Sequence, residues 1–220
     1  MATYKEIQGF AVQNFSQDPV PSVAGWSSGG NLPAATFGLA GAGTQTAGLG
    51  FGGSTGPVNG ITTTVEYDGS TWASGGAMGT GRYLLGGAGI QTAALAFGGL
   101  VPGNSNATEE YDGSSWTAGN TAGTQAHSRS SAGVLTAGVV VGGRLFGSTA
   151  SANSEEYDGT SYSEGNNLST ARWGLGGAGA QTAAIFFGGR TQNSPFVITA
   201  NSETYDGTSY SAGPSLNTAT

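Results

Sequence analysis

The hydrophobic and polar positions of the chain follow one pattern that recurs four times. In each copy a short run of small and apolar residues ends in a doubled glycine, and the doubled glycines are spaced by 46, 44 and 46 residues. Their positions are Gly52–Gly53, Gly98–Gly99, Gly142–Gly143 and Gly188–Gly189. A second marker, Tyr-Asp-Gly, recurs at spacings of 44, 46 and 48 residues and begins at Tyr67, Tyr111, Tyr157 and Tyr205. Because two independent markers share one period, the chain is predicted to contain four copies of one structural unit.

Each unit predicts four short β-strands. The first is rich in glycine, as in Leu84–Gly89, and the second is apolar, as in Gln91–Phe97. The third ends at the Tyr of Tyr-Asp-Gly, and the fourth begins at one of the aromatic residues Trp72, Trp116, Tyr162 and Tyr210. Asp-Gly is a strong hairpin signal, because glycine adopts positive φ and Asp bonds to its own backbone. No segment shows a helical period, so the units form an all-β array in which neighbours must stack to bury their apolar faces.

The composition could suggest disorder, since 42 of the 220 residues are Gly and only 9% are charged. The regular placement of the aromatic residues argues against that interpretation, because disordered chains are poor in aromatics. The net charge is −7 and the six basic residues are scattered singly, so no basic stripe is present and nucleic-acid binding is not expected. The N-terminal sequence lacks the apolar core of a signal peptide, and no apolar run reaches membrane-spanning length. We therefore expect synthesis in a cytoplasm and no membrane insertion.

The residues needed for catalysis are scarce. His127 is the only histidine, Lys5 the only lysine, and cysteine is absent. Acidic pairs such as Glu109–Glu110 recur with the repeat, and adjacent strand residues point to opposite faces, so such a pair cannot act on one substrate. Each Asp-Gly turn offers one carboxylate without a second acid at a spacing suited to Ca²⁺. The sequence therefore predicts a protein that is not an enzyme and that holds no metal or cofactor.

At these positions the repeat resembles the kelch motif: Gly-Gly after an apolar strand, then Tyr-Asp, then Trp, then an Arg such as Arg82 or Arg172. The resemblance covers residues 37–220 and implies a β-propeller of four four-stranded blades around a central axis. Thr36 and Ala126 depart from the motif at the Arg position, and Tyr162 and Tyr210 depart from it at the Trp position. Kelch-type rings usually have more blades. The sequence leaves open whether four blades close on themselves or form an arc that is completed by oligomerisation.

A closer resemblance is to repeat proteins encoded by tailed bacteriophages of marine bacteria. It rests on the phrases Ala42–Ala47, Leu95–Gly99 and Glu109–Gly113, and on the leader Met1–Ile7. Those proteins are virion structural components, often called tail-fibre or appendage proteins. The resemblance implies a virion location and a structural, fibre-associated role. Its implied partners are other virion proteins, further copies of the same chain, and a glycan or protein on the host surface.

The two ends of the chain carry an additional copy of one element. Trp26–Leu32 aligns with Tyr210–Leu216, so the start of the fourth strand occurs five times and the other three strands four times. The spare copy is either a remnant of repeat duplication or a strand that completes a sheet in a neighbouring subunit. Residues 1–25 are interpreted as an extended N-terminal arm that docks on a partner, the alternative being a floppy terminus, and residues 26–220 as the propeller. The residues assigned to assembly are Tyr4, Phe10, Phe15 and Trp26.

Two surfaces are candidates for ligand recognition. An aromatic residue or His lies six positions before the strand-one glycine in every unit, at Phe37, Tyr83, His127 and Trp173. These four residues either surround one mouth of the channel, with Arg82 and Arg172 beside two of them, or pack between blades. The loops after each Gly-Gly differ in length and content, at Ser54–Gly60, Leu100–Asn106, Arg144–Ala152 and Arg190–Thr199. Such loops on a rigid scaffold suit recognition. The expected function is that of a phage virion component that assembles through its arm and presents these loops. The alternative is a stand-alone propeller that binds carbohydrate or protein.

Overall fold

A computed structural model describes residues 28–57, 59–193 and 195–219, and it confirms an all-β propeller of four blades. Each blade is a four-stranded antiparallel sheet. Blade 1 consists of β1 (Ala40–Thr44), β2 (Ala47–Phe51), β3 (Thr64–Tyr67) and β4 (Trp72–Ser74). Blade 2 consists of β5 (Gly86–Ile90), β6 (Ala93–Phe97), β9 (Thr108–Tyr111) and β10 (Trp116–Gly119).

The other two blades repeat this plan. Blade 3 consists of β11 (Ser130–Val134), β12 (Ala137–Val141), β13 (Ser154–Tyr157) and β14 (Tyr162–Glu164). Blade 4 consists of β15 (Gly176–Ala180), β16 (Ala183–Phe187), β19 (Ser202–Tyr205) and β20 (Tyr210–Ala212). Two small hairpins project from the loops: β7 (Leu100–Val101) with β8 (Gly103–Asn104), and β17 (Arg190–Asn193) with β18 (Phe196–Ile198). A single 3₁₀ turn, Phe146–Ser148, is the helical element of the described chain, and no helix there could cross a membrane.

The first strand of every blade lines the central axis. The middle residues of β1, β5, β11 and β15 together line an axial cavity of about 250 Å³. Glycine and alanine are required here because the strands crowd together. A Cβ atom on Gly87, for example, would lie 2.5 Å from the ring of Phe51 in blade 1. The small side chains that the sequence places in the first strands therefore set the narrow bore of the propeller.

The second strand of each blade forms the core between neighbours, because its side chains alternate between the two faces of the sheet. In β6, Ala94 and Ala96 pack with Phe51 of blade 1, whereas Leu95 and Phe97 pack with Val140 of blade 3. These four side chains of β6 are fully buried, and only Ala93 at its start is partly exposed. Blade 2 thus presents small residues to blade 1 and large ones to blade 3, whereas at the contact between blades 3 and 4 Phe186 of blade 4 packs with Val139 and Val141.

Backbone hydrogen bonds join three of the four neighbouring pairs of blades. We call each contact a seam and name it by its blades. Near the axis Leu84 N donates to Gly38 O at seam 1/2 (2.7 Å), and Ser128 N donates to Leu84 O at seam 2/3 (2.8 Å). Gly174 N donates to Ser128 O at seam 3/4 (2.9 Å). These four residues all have positive φ, which costs Leu84 and Ser128 more than glycine.

Seam 4/1 is open. Among the described residues, no hydrogen bond joins blade 4 to blade 1 in the positions used at the other three seams. Ala178 is exposed there, although its counterparts Ala88 and Ala132 are buried. Ile185 and Phe187 face the same seam and are only partly buried. Within residues 28–219 as described, the four blades share one axis without closing into a ring.

The duplicated element at the chain ends accounts for the open seam. At seam 1/2 one connecting segment, residues 75–82, serves both blades: Met78 N donates to Thr62 O of blade 1, and Gly79 N donates to Glu109 of blade 2. At seam 4/1 two segments correspond to it. Leu216 N donates to Ala200 O of blade 4, whereas Trp72 of blade 1 donates to Gly30 O. Both segments match one place in the repeat, whereas a single segment occupies that place at seam 1/2.

Candidate functional site: the varied-loop face

The loops that differ between repeats lie at one end of the propeller. The first and second strands of each blade are antiparallel, so the first strand begins at the same end of the sheet at which the second strand ends. This end is the same in neighbouring blades. The segments that follow each Gly-Gly therefore share this end with the residues that precede each first strand. We call this surface the varied-loop face; it comprises Phe37, Tyr83, His127 and Trp173 with loops 54–60, 100–106, 144–152 and 190–199, except residues 58 and 194, which lie outside the described chain.

Backbone pairing brings each aromatic or His position next to a varied loop. Isolated β-bridges join Phe37 to Ser54, Tyr83 to Leu100, His127 to Arg144 and Trp173 to Arg190. In each case the partner is the first residue after Gly-Gly. The two candidate surfaces that the sequence suggested separately are thus one surface, on a backbone frame that is the same in all four blades.

Phe37 and Tyr83 form one aromatic pair on this face. Their ring centroids are 5.9 Å apart, and the rings meet edge to face with an interplanar angle of 72°. Phe37 remains 48% exposed, so a large apolar ring lies at the surface beside the open seam. The sequence suggested that these rings either surround the channel mouth or pack between blades. The pair does both in part, because the rings pack between blades 1 and 2 and Phe37 also stays accessible.

Trp173 is the centre of a cationic cluster on the opposite side of the face. The guanidinium carbon of Arg144 lies 5.2 Å from the Trp173 ring centroid, and that of Arg190 lies 5.0 Å from it. Cation–π attraction favours both placements. Arg144 also donates to Ser148 (2.6 Å), and Asn104 donates to Arg144 O (2.9 Å), so loops of blades 2 and 3 are tied together.

His127 is largely buried beneath this cluster. Its Nδ1 lies 2.9 Å from Ser128 Oγ, and only 7% of the residue is exposed. Burial, and then the positive charge of Arg144, lower the pKa of His127 below its usual value. Both effects favour the neutral imidazole, which packs beneath the loops and forms a hydrogen bond with Ser128.

Arg82 and Arg172 do not reach this surface, which corrects their assignment as ligand-binding residues. Both side chains are fully buried. Arg82 pairs with Glu109 at 2.9 Å, and Arg172 pairs with Glu203 at 2.7 Å. A guanidinium enclosed in this way holds the connecting segment against its blade, so we assign these two residues a structural role.

Sequence reasoning missed two features of the site. Arg144 and Arg190 were noted only as loop residues, although both follow Gly-Gly directly and the matching positions hold Ser54 and Leu100. Blade 3 also contains a buried Arg–Glu ion pair, although Ala126 replaces the arginine found at that position in blades 2 and 4. Its arginine is Arg129, which binds Glu155 at 2.5 Å. The retained Glu155 was the signal that a replacement cation lies nearby.

Two further predictions concern the N-terminal arm with its assembly residues and the binding of metal ions. The arm at residues 1–25 and the assembly residues Tyr4, Phe10, Phe15 and Trp26 lie outside them. Within the described residues, no group of three or more His, Asp and Glu side chains could hold a metal ion. The Asp-Gly turns instead cap themselves, as when Ser115 N donates to Asp112 Oδ1 at 2.7 Å.

The fold and this surface define a four-bladed β-propeller, a class whose members often act by binding and not by catalysis. No protein-family model matches the chain, and no curated protein matches it either. The propeller thus rests on the observed sheets. The kelch resemblance rests on the repeat motif, and the bacteriophage resemblance on the repeat phrases and the leader.

Proposed function

We propose that the protein is a non-catalytic component of a phage particle that presents the varied-loop face for recognition of a host surface. The observation that carries this proposal is the gathering of all four varied loops at one end of a scaffold whose other parts repeat. A rigid frame with interchangeable loops on one face suits recognition, because the loops change without loss of the core. The virion role is supported by the resemblance of the repeat phrases and the leader to phage structural proteins.

The chemistry of the cationic cluster favours an acidic surface glycan as the ligand. Trp173 offers a flat ring of the kind that packs against sugar rings, and Arg144 and Arg190 carry planar guanidinium groups. Guanidinium groups bind carboxylates and phosphates in two-pronged hydrogen bonds, which makes them selective for anionic groups of fixed geometry.

A second copy of the chain is the partner that the open seam fits. Blade 4 leaves Ile185 and Phe187 partly exposed, and blade 1 carries the small residues Gly48 and Gly50 on its facing side. These are the two halves of the packing that closes the other three seams. Assembly through this seam and the arm at residues 1–25 is the mode we propose.

The experiment that tests this function has two measurements. Mass spectrometry of purified virions is expected to detect the protein as a structural component, and its absence would remove the virion role. A glycan array is expected to retain the protein on acidic glycans, with binding weakened at least about tenfold, or about 1.4 kcal/mol, in Arg144→Ala. Thr92→Ala, an exposed change at the opposite end of the propeller, is the matched control and leaves binding unchanged.

The alternative function is that of a stand-alone binding propeller without a virion role. It shares the varied-loop face but needs neither the open seam nor the arm for assembly. Glycan binding by a stable monomer that is absent from virions would favour this alternative. A defined oligomer in solution together with detection in virions would favour the first proposal.

A further inference from the structure

Blades 2 and 4 contain the same buried polar site between the connecting segment and the sheet. In blade 2, Arg82 donates to Gly98 O (3.0 Å) and Ala107 O (2.6 Å), and it pairs with Glu109. In blade 4, Arg172 binds the equivalent carbonyls of Gly188 and Asn201 and pairs with Glu203. Each site therefore consists of two backbone acceptors and one carboxylate around an inserted guanidinium.

Blade 1 retains this site without its occupant. Thr36 stands where the arginine would be, and Val65 stands where the glutamate would be. The acceptor carbonyls correspond to those of Gly52 and Thr63. All four residues line one cavity of about 290 Å³, which we call the blade 1 cavity. The cavity thus has the position of the missing arginine side chain.

The walls of the blade 1 cavity are mostly apolar. Leu32, Leu39, Ile61 and Val65 line it, together with Pro33 of the connecting segment. No carboxylate is among its lining residues. A cation buried there would lack a counter-charge, which is costly in an apolar environment. A neutral guest avoids that cost and can still donate a hydrogen bond to either backbone oxygen.

We propose that the blade 1 cavity is a binding site for a small, neutral, flat apolar molecule that carries one N–H or O–H donor. Its volume is close to the lower end of small-molecule sites, which are typically apolar with a few placed polar groups. The donor would bind Gly52 O or Thr63 O, as the arginine does in the sister blades. This inference concerns a pocket on the side of blade 1 that faces the open seam, lined in part by Gly50 and Thr55, and it does not rest on the proposed recognition of a host surface.

The test uses indole as the probe on the full-length protein. Methyl NMR signals of Leu32, Ile61 and Val65 are expected to shift and saturate as indole is added. Indene has nearly the same shape but no N–H, so its affinity is expected to be about tenfold lower, as for the loss of one buried hydrogen bond. Absence of saturable shifts at these methyl groups with indole would overturn the proposal. Equal affinity for indene would overturn the hydrogen-bonding part of it.

Two variants that fill the cavity in different ways provide the decisive comparison. Thr36→Arg combined with Val65→Glu installs the pair found in blades 2 and 4, and Thr36→Leu fills the space with an apolar side chain. Both are expected to weaken indole binding at least about tenfold, since the occupied space is lost. If one variant does not fold, the other still tests the site. Unchanged binding in a folded variant places indole elsewhere and overturns the assignment.

The reciprocal exchange tests the site by gain of binding. Arg82→Thr combined with Glu109→Val transfers the blade 1 residues to blade 2. This variant is expected to bind a second indole near Ala107, detected as new saturable shifts in blade 2. If the variant folds and binds only one indole, the two substituted positions are not what creates the site.

Discussion

Blades 1 and 2 have the same strands and the same turns, yet they differ in how they meet the blade before them. The hydroxyl of Tyr111 in blade 2 donates to Glu66 across seam 1/2 at 2.5 Å, whereas the hydroxyl of Tyr67 in blade 1 has no hydrogen bond among the described residues. The position that matches Glu66 in blade 4 is Thr204. Gln91 of blade 2 likewise bonds to blade 1, while the matching Gln45 is exposed.

The comparison shows that a repeat motif defines a blade but does not by itself define a seam. A seam needs both halves of each pair, and the two halves come from different repeats. Blade 1 keeps the donors Gln45 and Tyr67 although blade 4 lacks the carboxylate for one of them. Matched substitutions in blades 1 and 2 therefore separate what a residue contributes to its own blade from what it contributes across a seam.

Of the matched substitutions in blades 1 and 2, those at the buried ion pair are expected to differ most in their effect on the free energy of unfolding. Arg82→Ala leaves Glu109 buried without its partner and is expected to reduce the free energy of unfolding by about 3–5 kcal/mol. Thr36→Ala at the matching position of blade 1 is expected to cost less than about 1 kcal/mol. Urea unfolding followed by circular dichroism measures both.

The control for this prediction replaces both partners. Arg82→Met with Glu109→Leu removes the charges together and is expected to cost less than Arg82→Ala alone, because no uncompensated charge remains. If the double variant were as unstable as the single one, packing and not the unpaired carboxylate would explain the loss.

Part of this organisation could be predicted from the sequence. The four blades and their strands follow from the Gly-Gly and Tyr-Asp-Gly markers, because turn chemistry and aromatic spacing act within one repeat. The buried role of Arg82 could not be read in the same way, since its partners Gly98 and Ala107 come together only when the connecting segment folds onto the sheet. The open seam likewise involves two chain segments that match one position of the repeat, of which the structure describes residues 28–32 and 210–216.

The tyrosine bond across seam 1/2 is expected to give the next largest effect. Tyr111→Phe removes a hydrogen bond to the Glu66 carboxylate and is expected to cost about 1.5–3 kcal/mol of the free energy of unfolding. Tyr67→Phe, the matched change in blade 1, is expected to change it by less than about 0.5 kcal/mol. Chemical unfolding of the two variants side by side measures the difference, and equal costs would contradict the open seam.

The same bond predicts how stability responds to alkaline pH. Burial, and then the hydrogen bond to Glu66, raise the pKa of Tyr111 to about 12 from the ordinary value of 10.0. The unfolded chain therefore loses this proton first. The contribution to stability is complete below pH 10.0 and is lost as pH rises toward about 12. Thermal unfolding measured from pH 9 to about pH 12 is expected to show a smaller decline in Tyr111→Phe. If the loss of stability were the same in Tyr111→Phe as in the unmodified protein, groups other than Tyr111 would cause it.

A smaller difference is expected from the glutamine that bridges seam 1/2. Gln91 Nε2 donates to Gly48 O at 3.0 Å and to Tyr67 O at 2.9 Å. In the monomer, Gln91→Ala is expected to cost about 1–2 kcal/mol, and Gln45→Ala less than about 0.5 kcal/mol. Urea midpoints of the two variants measure this. A large cost for Gln45→Ala would indicate that blade 1 has a partner across its seam in solution.

The smallest effect, and the one expected to be equal in both blades, concerns the Asp-Gly turns. Ser115 N and Ser114 N donate to Asp112, and these bonds lower its pKa to about 2. The turn at Asp68 has the same bonds, and its pKa is lowered for the same reason. A lowered pKa stabilises the fold above the ordinary value of 3.8, and this contribution is lost as pH falls toward about 2.

Because these bonds are local to one turn, Asp68→Asn and Asp112→Asn should lower the melting temperature slightly and to the same extent at pH 7. Both variants should also lose less stability than the unmodified protein between pH 4 and about pH 2. Differential scanning calorimetry across that range measures both effects. A clearly larger effect at Asp112 than at Asp68 would mean that the open seam also weakens the turns of blade 1, and the separation between blade and seam would then fail.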